Sequence, residues 1–276
     1  MNTTKAIILG LIQGLTEFLP VSSSGHLVLG QHLMGLREPE LLFDVLMHLA
    51  TLTAIVIVLR REILALLVQI FRLPRHLKNR DSLTAAWRDQ PSFRLLALIV
   101  IGSVPTGLIG IGLKDVFESL FGSPLAVGWA LLATGVVLFL TRLAPPRGRT
   151  VENFKIVDAL IVGLAQGLAI TPGLSRSGLT ISTGLFLGLD RETAARYSFL
   201  LFIPAVIGAL GLELVAAEPG SFSPVHMAAG FIAALISGLA ALVFLLRIVR
   251  RGRLHYFAYY CWALGLITLV LTAGVK

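Results

Sequence analysis

The chain has a single cysteine, Cys261, so neither an intramolecular disulfide nor a cysteine-based metal site is available to it. Charge is scarce too, with 14% of the 276 residues charged against 56% hydrophobic. At a mean hydropathy of +0.87, a soluble globule would lack the polar surface to cover itself. A polytopic, all-α membrane protein is expected. Only Lys5 precedes the first apolar segment and no small-residue cleavage site follows, so that segment is expected to stay in the mature protein. The net charge of +8 raises nucleic acid as a partner, but the basic residues crowd between hydrophobic segments, as the positive-inside rule requires of a membrane protein.

Six apolar runs reach the roughly 20 residues needed to cross a bilayer, at about 41–59, 95–113, 124–141, 195–215, 225–246 and 255–273. Two further stretches are helical patterns interrupted by Gly, Pro and Ser, and they are copies of one another. At an offset of 153 residues, positions 10–36 match 163–189 at ten of 27 places, among them Gly10, Gln13, Gly14, Ser22, Ser24 and Gly25. Neither piece of either copy spans alone. A broken segment at membrane depth must be buried in protein or line a wet cavity, so each copy is expected to be a re-entrant helix-loop-helix hairpin.

Charge placement supports that layout. The connectors 60–94, 142–155 and 247–253, with Arg191 and Arg196, hold 18 of the 23 Lys and Arg residues. They fall on one side only if both broken segments return to the side they entered from. The N-terminus, the 114–118 and 218–223 loops and the C-terminus then face the other side. Each half, about 1–150 and 151–276, becomes one hairpin plus three spans, and the odd number inverts the second half relative to the first within a single membrane domain. The charged 73–92 stretch, with Pro74 and Pro91, is expected to be a cytoplasmic loop holding a short interfacial helix.

The chemistry-bearing residues gather in the two breaks. Gln13 and Glu17 share one helix face, Pro20 ends that helix, Ser22, Ser23, Ser24 and Gly25 form the tip, and His26 opens the returning helix, whose free N–H groups favour an anion. The second tip holds Pro172, Gly173, Ser175, Arg176, Ser177 and Gly178, with Thr180 one turn on; a buried Arg offers a planar fork for phosphate oxygens. The copies differ where charge enters, with Glu17 opposite Ile170, Ser23 opposite Arg176 and His26 opposite Leu179. Purely structural roles compete: Glu17 and Arg176 as a mutual ion pair, His26 as a local cap, and Ser22, Ser24, Ser175 and Ser177 as helix caps. Asp44 and His48, four apart on a span, are more easily read as structural.

The first pattern, Gln, three residues and Glu before a Ser-rich Gly-His turn, followed later by Pro-Gly-x-Ser-Arg-Ser-x-x-Thr, resembles the bacterial undecaprenyl-diphosphate phosphatases, the bacitracin-resistance proteins, from end to end. The family takes Glu or Gln at the first position; here it is Gln13. The resemblance implies hydrolysis of a polyisoprenyl diphosphate to the monophosphate carrier and inorganic phosphate, serving cell-wall synthesis. It also implies a divalent cation, Mg or Ca, in the bacterial cytoplasmic membrane, with a site open to the outer face and room for a homodimer. On that footing Glu17 and Gln13 would hold the metal, and Arg176 with Ser175 and Ser177 would clamp the phosphoryl group. His26 would be nucleophile or general base, with Ser23 as the alternative nucleophile. Ser22, Ser24, Gly25, Gly173 and Thr180 complete the expected substrate contacts. A transporter or flippase of a lipid carrier or anionic solute, built on the same midplane site, is the competing reading.

Overall fold

The computed structural model describes residues 2–33, 41–78, 80–145, 147–216 and 223–273. Caps and prolines set where its helices begin and end. Asn2 accepts the Lys5 N–H at 2.9 Å to start α1 (Thr3–Phe18), which stops at the extended Leu19 ahead of Pro20. A second piece, α2 (Ser23–Leu33), follows, then α3 (Leu41–Val58), α4 (Arg60–Leu77) and α5 (Arg80–Asp89). Pro91 opens α6 (Pro91–Gly112), where its missing N–H costs nothing; α7 (Lys114–Phe121) leads to α8 (Pro124–Leu140), which again opens on a proline. The rest of the chain forms α9 (Ile156–Leu168), α10 (Arg176–Phe186), α11 (Arg191–Ala216), α12 (Pro224–Arg250) and α13 (Phe257–Ala273). Among the described residues there is no strand beyond one isolated bridge between Arg149 and Leu189.

Among the described residues, five helical stretches are long and apolar enough to cross a membrane: 91–112, 124–143, 191–211, 224–250 and 254–273. They answer five of the six expected spans. The sixth corresponds to α3, whose 18 residues rise about 27 Å. The two broken segments are helical on both sides of their breaks, as α1 with α2 and α9 with α10.

The expected 73–92 loop does hold a short helix but is more helical than expected, and the expected 114–118 loop is helical instead. The 73–92 stretch continues α4 through Pro74 and then forms α5, because packing overrides local charge: α4 buries Leu66 and Gln69, α5 buries Ala86, and both pack on α6. Gln69 donates to Ser92 Oγ at 2.9 Å. The 114–118 loop is the start of α7, where Phe117 is buried and an exposed Lys114–Glu118 pair sits at 3.5 Å. The expected 218–223 loop lies, except for Ser223, outside the described residues.

Helix packing comes in corresponding pairs. α1 packs on α12 as α9 packs on α6, and α3 packs on α12 as α11 packs on α6, while α8 and α13 pack on each other. The closest approaches use glycine: a Cβ on Gly10 would lie 2.3 Å from Gly230 O, and one on Gly163 would lie 2.0 Å from Gly102 O. Without a hydrophobic force between helices in lipid, such small-residue seams let backbones touch and supply the contact energy. The main core joins α1 to α11 through an edge-to-face pair of Phe18 and Phe199, with Leu98, Leu138, Tyr197 and Leu242 buried around it.

The four basic connectors converge. Arg196 bonds Glu62 at 2.8 Å and Glu192 at 2.5 Å, and Arg250 reaches Glu192 at 3.2 Å. Arg94 donates to Phe154 O, and Arg149 to Asp158 and Leu187 O. Charged connectors that are remote in sequence therefore share one end of the bundle.

Candidate active site

The two breaks are built alike. Ser22 Oγ accepts the Gly25 N–H at 3.2 Å and lies 3.3 Å from Ser24 Oγ. At the same offset of 153 residues, Ser175 Oγ accepts the Gly178 N–H at 3.1 Å and lies 3.4 Å from Ser177 Oγ. In both tips the first serine caps the returning helix. The tips also meet reciprocally. A Cβ on Gly25 would lie 3.3 Å from Gly173 Cα, and one on Gly178 would lie 3.3 Å from Pro20 Cβ, with positions 20 and 173 again 153 apart.

Ser22 ties the tips together by accepting the Gly173 N–H at 3.1 Å. Its φ of +68° makes it the one left-handed non-glycine residue among those described. Holding a side chain there costs about 1–2 kcal/mol, and the bonds to Gly25 and Gly173 offset it. Gly173, at φ +92°, lies so close to α8 that a Cβ would meet Val127 O at 2.5 Å. Thr134, also on α8, donates to Gly173 O and accepts the Ser175 N–H, each at 3.1 Å.

Charge enters through Glu17 on α1 and Arg176 at the start of α10. Arg176 Nη2 lies 2.7 Å from Glu17 Oε1, with the side chains 11% and 5% exposed. The other carboxylate oxygen, Oε2, accepts from Ser23 Oγ at 2.7 Å and from Gln13 Nε2 at 3.0 Å. Both Glu17 oxygens thus have partners, while polar atoms of its neighbours do not. Arg176 Nε and Nη1 and Gln13 Oε1 are buried without a protein hydrogen-bond partner. The guanidinium carbon lies 3.4 Å from the Phe202 ring centroid, a stacking that compensates part of the burial but supplies no acceptor. His48 on α3 lies within electrostatic reach of Glu17.

The residues singled out in the sequence therefore divide. Gln13, Glu17, Ser23 and Arg176 form one network. Ser22, Ser24, Gly25, Gly173, Ser175 and Ser177 build and join the tips. Thr180 bridges α10 to α11 instead, donating to Arg176 O at 2.7 Å on its own helix and sitting 2.5 Å from Ser198 Oγ on α11. His26 is turned toward Ser22 O, 2.8 Å from Nδ1, and Tyr260 OH, 2.7 Å from Nε2. The side chain of Asp44 lies outside the described residues. Thr134, Phe202 and Tyr260 went unrecognised because single hydroxyls and aromatics inside apolar spans carry no spacing signal. Cavities of about 320 and 340 Å³ lie elsewhere, the first among Glu62, Asp190 and Arg196 and the second among Leu46, Met227 and Phe231.

A multi-pass helical membrane protein, with an ion pair buried where two helix breaks meet, is the class these features define. Within that class the chain belongs to the family of the bacitracin resistance protein BacA, whose model matches residues 6–267. It is 47% identical to the undecaprenyl-diphosphatase of Desulforapulum autotrophicum over 272 residues, 98% of each chain. Over an alignment of 281 positions that covers 100% of each chain, it is 46% identical to that of Carboxydothermus hydrogenoformans. With the undecaprenyl-diphosphatase of Methanosphaera stadtmanae it shares 42% identity over 273 residues, 99% of each chain.

Proposed function

We propose that the protein is an integral membrane phosphatase that hydrolyses undecaprenyl diphosphate to undecaprenyl phosphate and inorganic phosphate. This recycles the lipid carrier of cell-wall synthesis and confers bacitracin resistance. Family membership and the names of the full-length relatives support the reaction. One observation carries the assignment of roles: Ser23 Oγ donates to Glu17 Oε2 at 2.7 Å while Arg176 holds Oε1 at the same distance.

That geometry supports Ser23, rather than His26, as nucleophile. Glu17 takes the Ser23 proton as Oγ attacks the terminal phosphorus; the anhydride P–O bond breaks and the lipid monophosphate leaves with its electron pair. Glu17 passes that proton to the departing lipid phosphate and is a carboxylate again; it then deprotonates water, whose oxygen attacks the phosphoserine. As the P–O bond to Ser23 breaks, the proton goes to Oγ and inorganic phosphate leaves. Arg176 Nε and Nη1, buried donors without an acceptor, match the charge that spreads over the phosphoryl oxygens. Ser175 and Ser177, tied into their own tip, act by holding Arg176 at the start of α10.

Gln13 Oε1, buried without a partner beside Glu17, is an oxygen donor suited to a hard cation. No group of three His, Cys, Asp or Glu side chains able to hold a metal occurs among the described residues. Such a donor set fits a Mg or Ca ion that takes most of its ligands from water and the diphosphate, with Gln13 and Glu17 as the protein's contribution. When bound, the ion would neutralise diphosphate charge.

The architecture belongs to the same reading. The offset-related tip contacts support two inverted repeats, about 1–150 and 151–276, in one membrane domain, with α1–α2 and α9–α10 as re-entrant hairpins and α3 as the sixth membrane helix. Convergence of the basic connectors supports a cytoplasmic end in the bacterial inner membrane and a site opening to the outer face. The test is phosphate release by purified protein from an isoprenyl diphosphate, with and without chelator. Metal-dependent release supports the reading, and no release under either condition removes it.

A further inference from the structure

His26 has both ring nitrogens committed, and their partners fix the tautomer of its neutral ring. Nδ1 lies 2.8 Å from Ser22 O, a backbone carbonyl that can only accept, so Nδ1 carries the hydrogen. In the neutral ring Nε2 is then an acceptor, and the group 2.7 Å away is the Tyr260 hydroxyl, which donates to it. The rings are also stacked, 7° from parallel with centroids 5.7 Å apart. Tyr260 comes from α13, 234 residues away, in the half of the chain that does not contain this tip.

From this we infer that Tyr260 is a positioning residue for the proposed phosphatase site: its hydroxyl holds His26 in the Nδ1–H tautomer, and His26 in turn holds the Ser22 carbonyl. Ser22 is the left-handed residue next to Ser23 in sequence, and its backbone sets where Ser23 Oγ meets Glu17. The line from Tyr260 through His26 to Ser22 therefore ends one peptide bond from the nucleophile. It gives His26 a task that a local cap does not have, since a cap would use one nitrogen and leave the other unconstrained. It also makes the last helix part of the first tip, complementing the bond from Gly173 N–H to Ser22 Oγ that reaches the same residue from the second tip.

This inference rests on the phosphatase reading for its kinetic arm only. The variant is Tyr260→Phe, which keeps the ring and its stacking and removes the donor. Tyr259→Phe is the control, because Tyr259 packs on Phe139 and Trp262 rather than on the tip. Phosphate release from an isoprenyl diphosphate is expected to fall about tenfold in kcat for Tyr260→Phe. KM should stay within about twofold, because no substrate contact is removed. Nitrogen-15 NMR of histidine-labelled protein, assigned with His26→Gln, should show His26 in the Nδ1–H form in the wild type and a mixture of tautomers in Tyr260→Phe. Tyr259→Phe should change neither measurement. An Nε2–H tautomer in the wild type overturns the proposal, and so does a Tyr260→Phe variant with unaltered kcat, whether or not its spectrum changes. If the wild type releases no phosphate, the phosphatase reading fails and the tautomer alone decides: the Nδ1–H form that Tyr260→Phe disperses upholds the positioning role, and any other pattern overturns it.

Discussion

Glu17 and Arg176, 159 residues apart in sequence, form a 2.7 Å ion pair with their side chains 5% and 11% exposed. Two charges taken out of water are costly, and removing one partner of such a pair costs about 3–5 kcal/mol because the other is left buried and uncompensated. Glu17→Gln and Arg176→Met are each expected to lower the midpoint of thermal unfolding in detergent. The Glu17→Gln/Arg176→Met double variant should be more stable than the sum of the single losses predicts. All three should lose phosphate release by at least about a hundredfold if, as proposed, Arg176 is the donor for the phosphoryl group and Glu17 the base. Strictly additive unfolding shifts would show that the pair does not couple the two tips.

Ser22 and Ser23 are neighbours with different work. Ser23→Ala removes one donor to Glu17 Oε2, which keeps Gln13 as a partner, so the protein should unfold within a few degrees of wild type while turnover is abolished. Ser22→Ala leaves the buried Gly25 and Gly173 N–H groups without an acceptor, at about 1–3 kcal/mol each, so its first effect should be on stability. Ser22→Gly, which accepts φ +68° without strain, recovers part of that loss. Unfolding and phosphate-release measurements on the three variants separate the roles; full turnover in Ser23→Ala would return the nucleophile to His26.

How much of this was legible in the sequence depends on how far each signal reaches. Gln13 and Glu17, four apart on a helix, were expected to share a face, and they are hydrogen-bonded at 3.0 Å. The offset of 153 residues reappears as reciprocal contacts between the tips. The orientation of His26 was not legible, because the tyrosine that turns it lies 234 residues away and looks like any aromatic in an apolar span. In 73–92 a short helix was legible, but the continuation of α4 through Pro74 was not: a proline argues against it, and tertiary burial of Leu66 and Gln69 decides otherwise.

The glycine seams make a sharper packing test than the cores. At Gly163, on α9, a Cβ would lie 2.0 Å from Gly102 O on α6, a backbone atom that cannot rotate away. Gly163→Ala should push α9 off α6 and lower the unfolding midpoint. Gly107, on α6 itself, has nothing within 4 Å of such a Cβ, so Gly107→Ala should be neutral or stabilise by about 0.5–1 kcal/mol through helix propensity. Equal effects at the two positions would mean that the α6–α9 approach is looser than described.

Gln13 offers a direct probe of the proposed cation. Its Oε1 is buried without a partner next to the Glu17 carboxylate. Replacing the amide by a carboxylate adds a charged oxygen donor, so Gln13→Glu should lower the divalent-ion concentration for half-maximal activity several-fold, and Gln13→Leu should raise it. Titration of Mg and Ca against phosphate release in chelator-treated protein reads both shifts. Identical titration curves for wild type and both variants would remove Gln13 from the cation's contacts.

Sidedness can be read with cysteine chemistry, because the one native cysteine, Cys261, is buried and gives little background. The connectors around Arg251 share their end of the bundle with Arg149, Glu192 and Glu62, whereas the exposed Lys114 starts α7 after α6 has run its full 22 residues away from that end. If that charged end faces the cytoplasm, a membrane-impermeant maleimide added to intact cells, their outer membrane permeabilised where one is present, should label Lys114→Cys. It should leave Arg251→Cys unlabelled until the inner membrane is opened. The reverse pattern would turn the protein over and overturn the proposed opening of the site to the outer face. Equal labelling of both positions in sealed cells would mean that the two ends are not separated by a bilayer, which the five long apolar helices between them argue against.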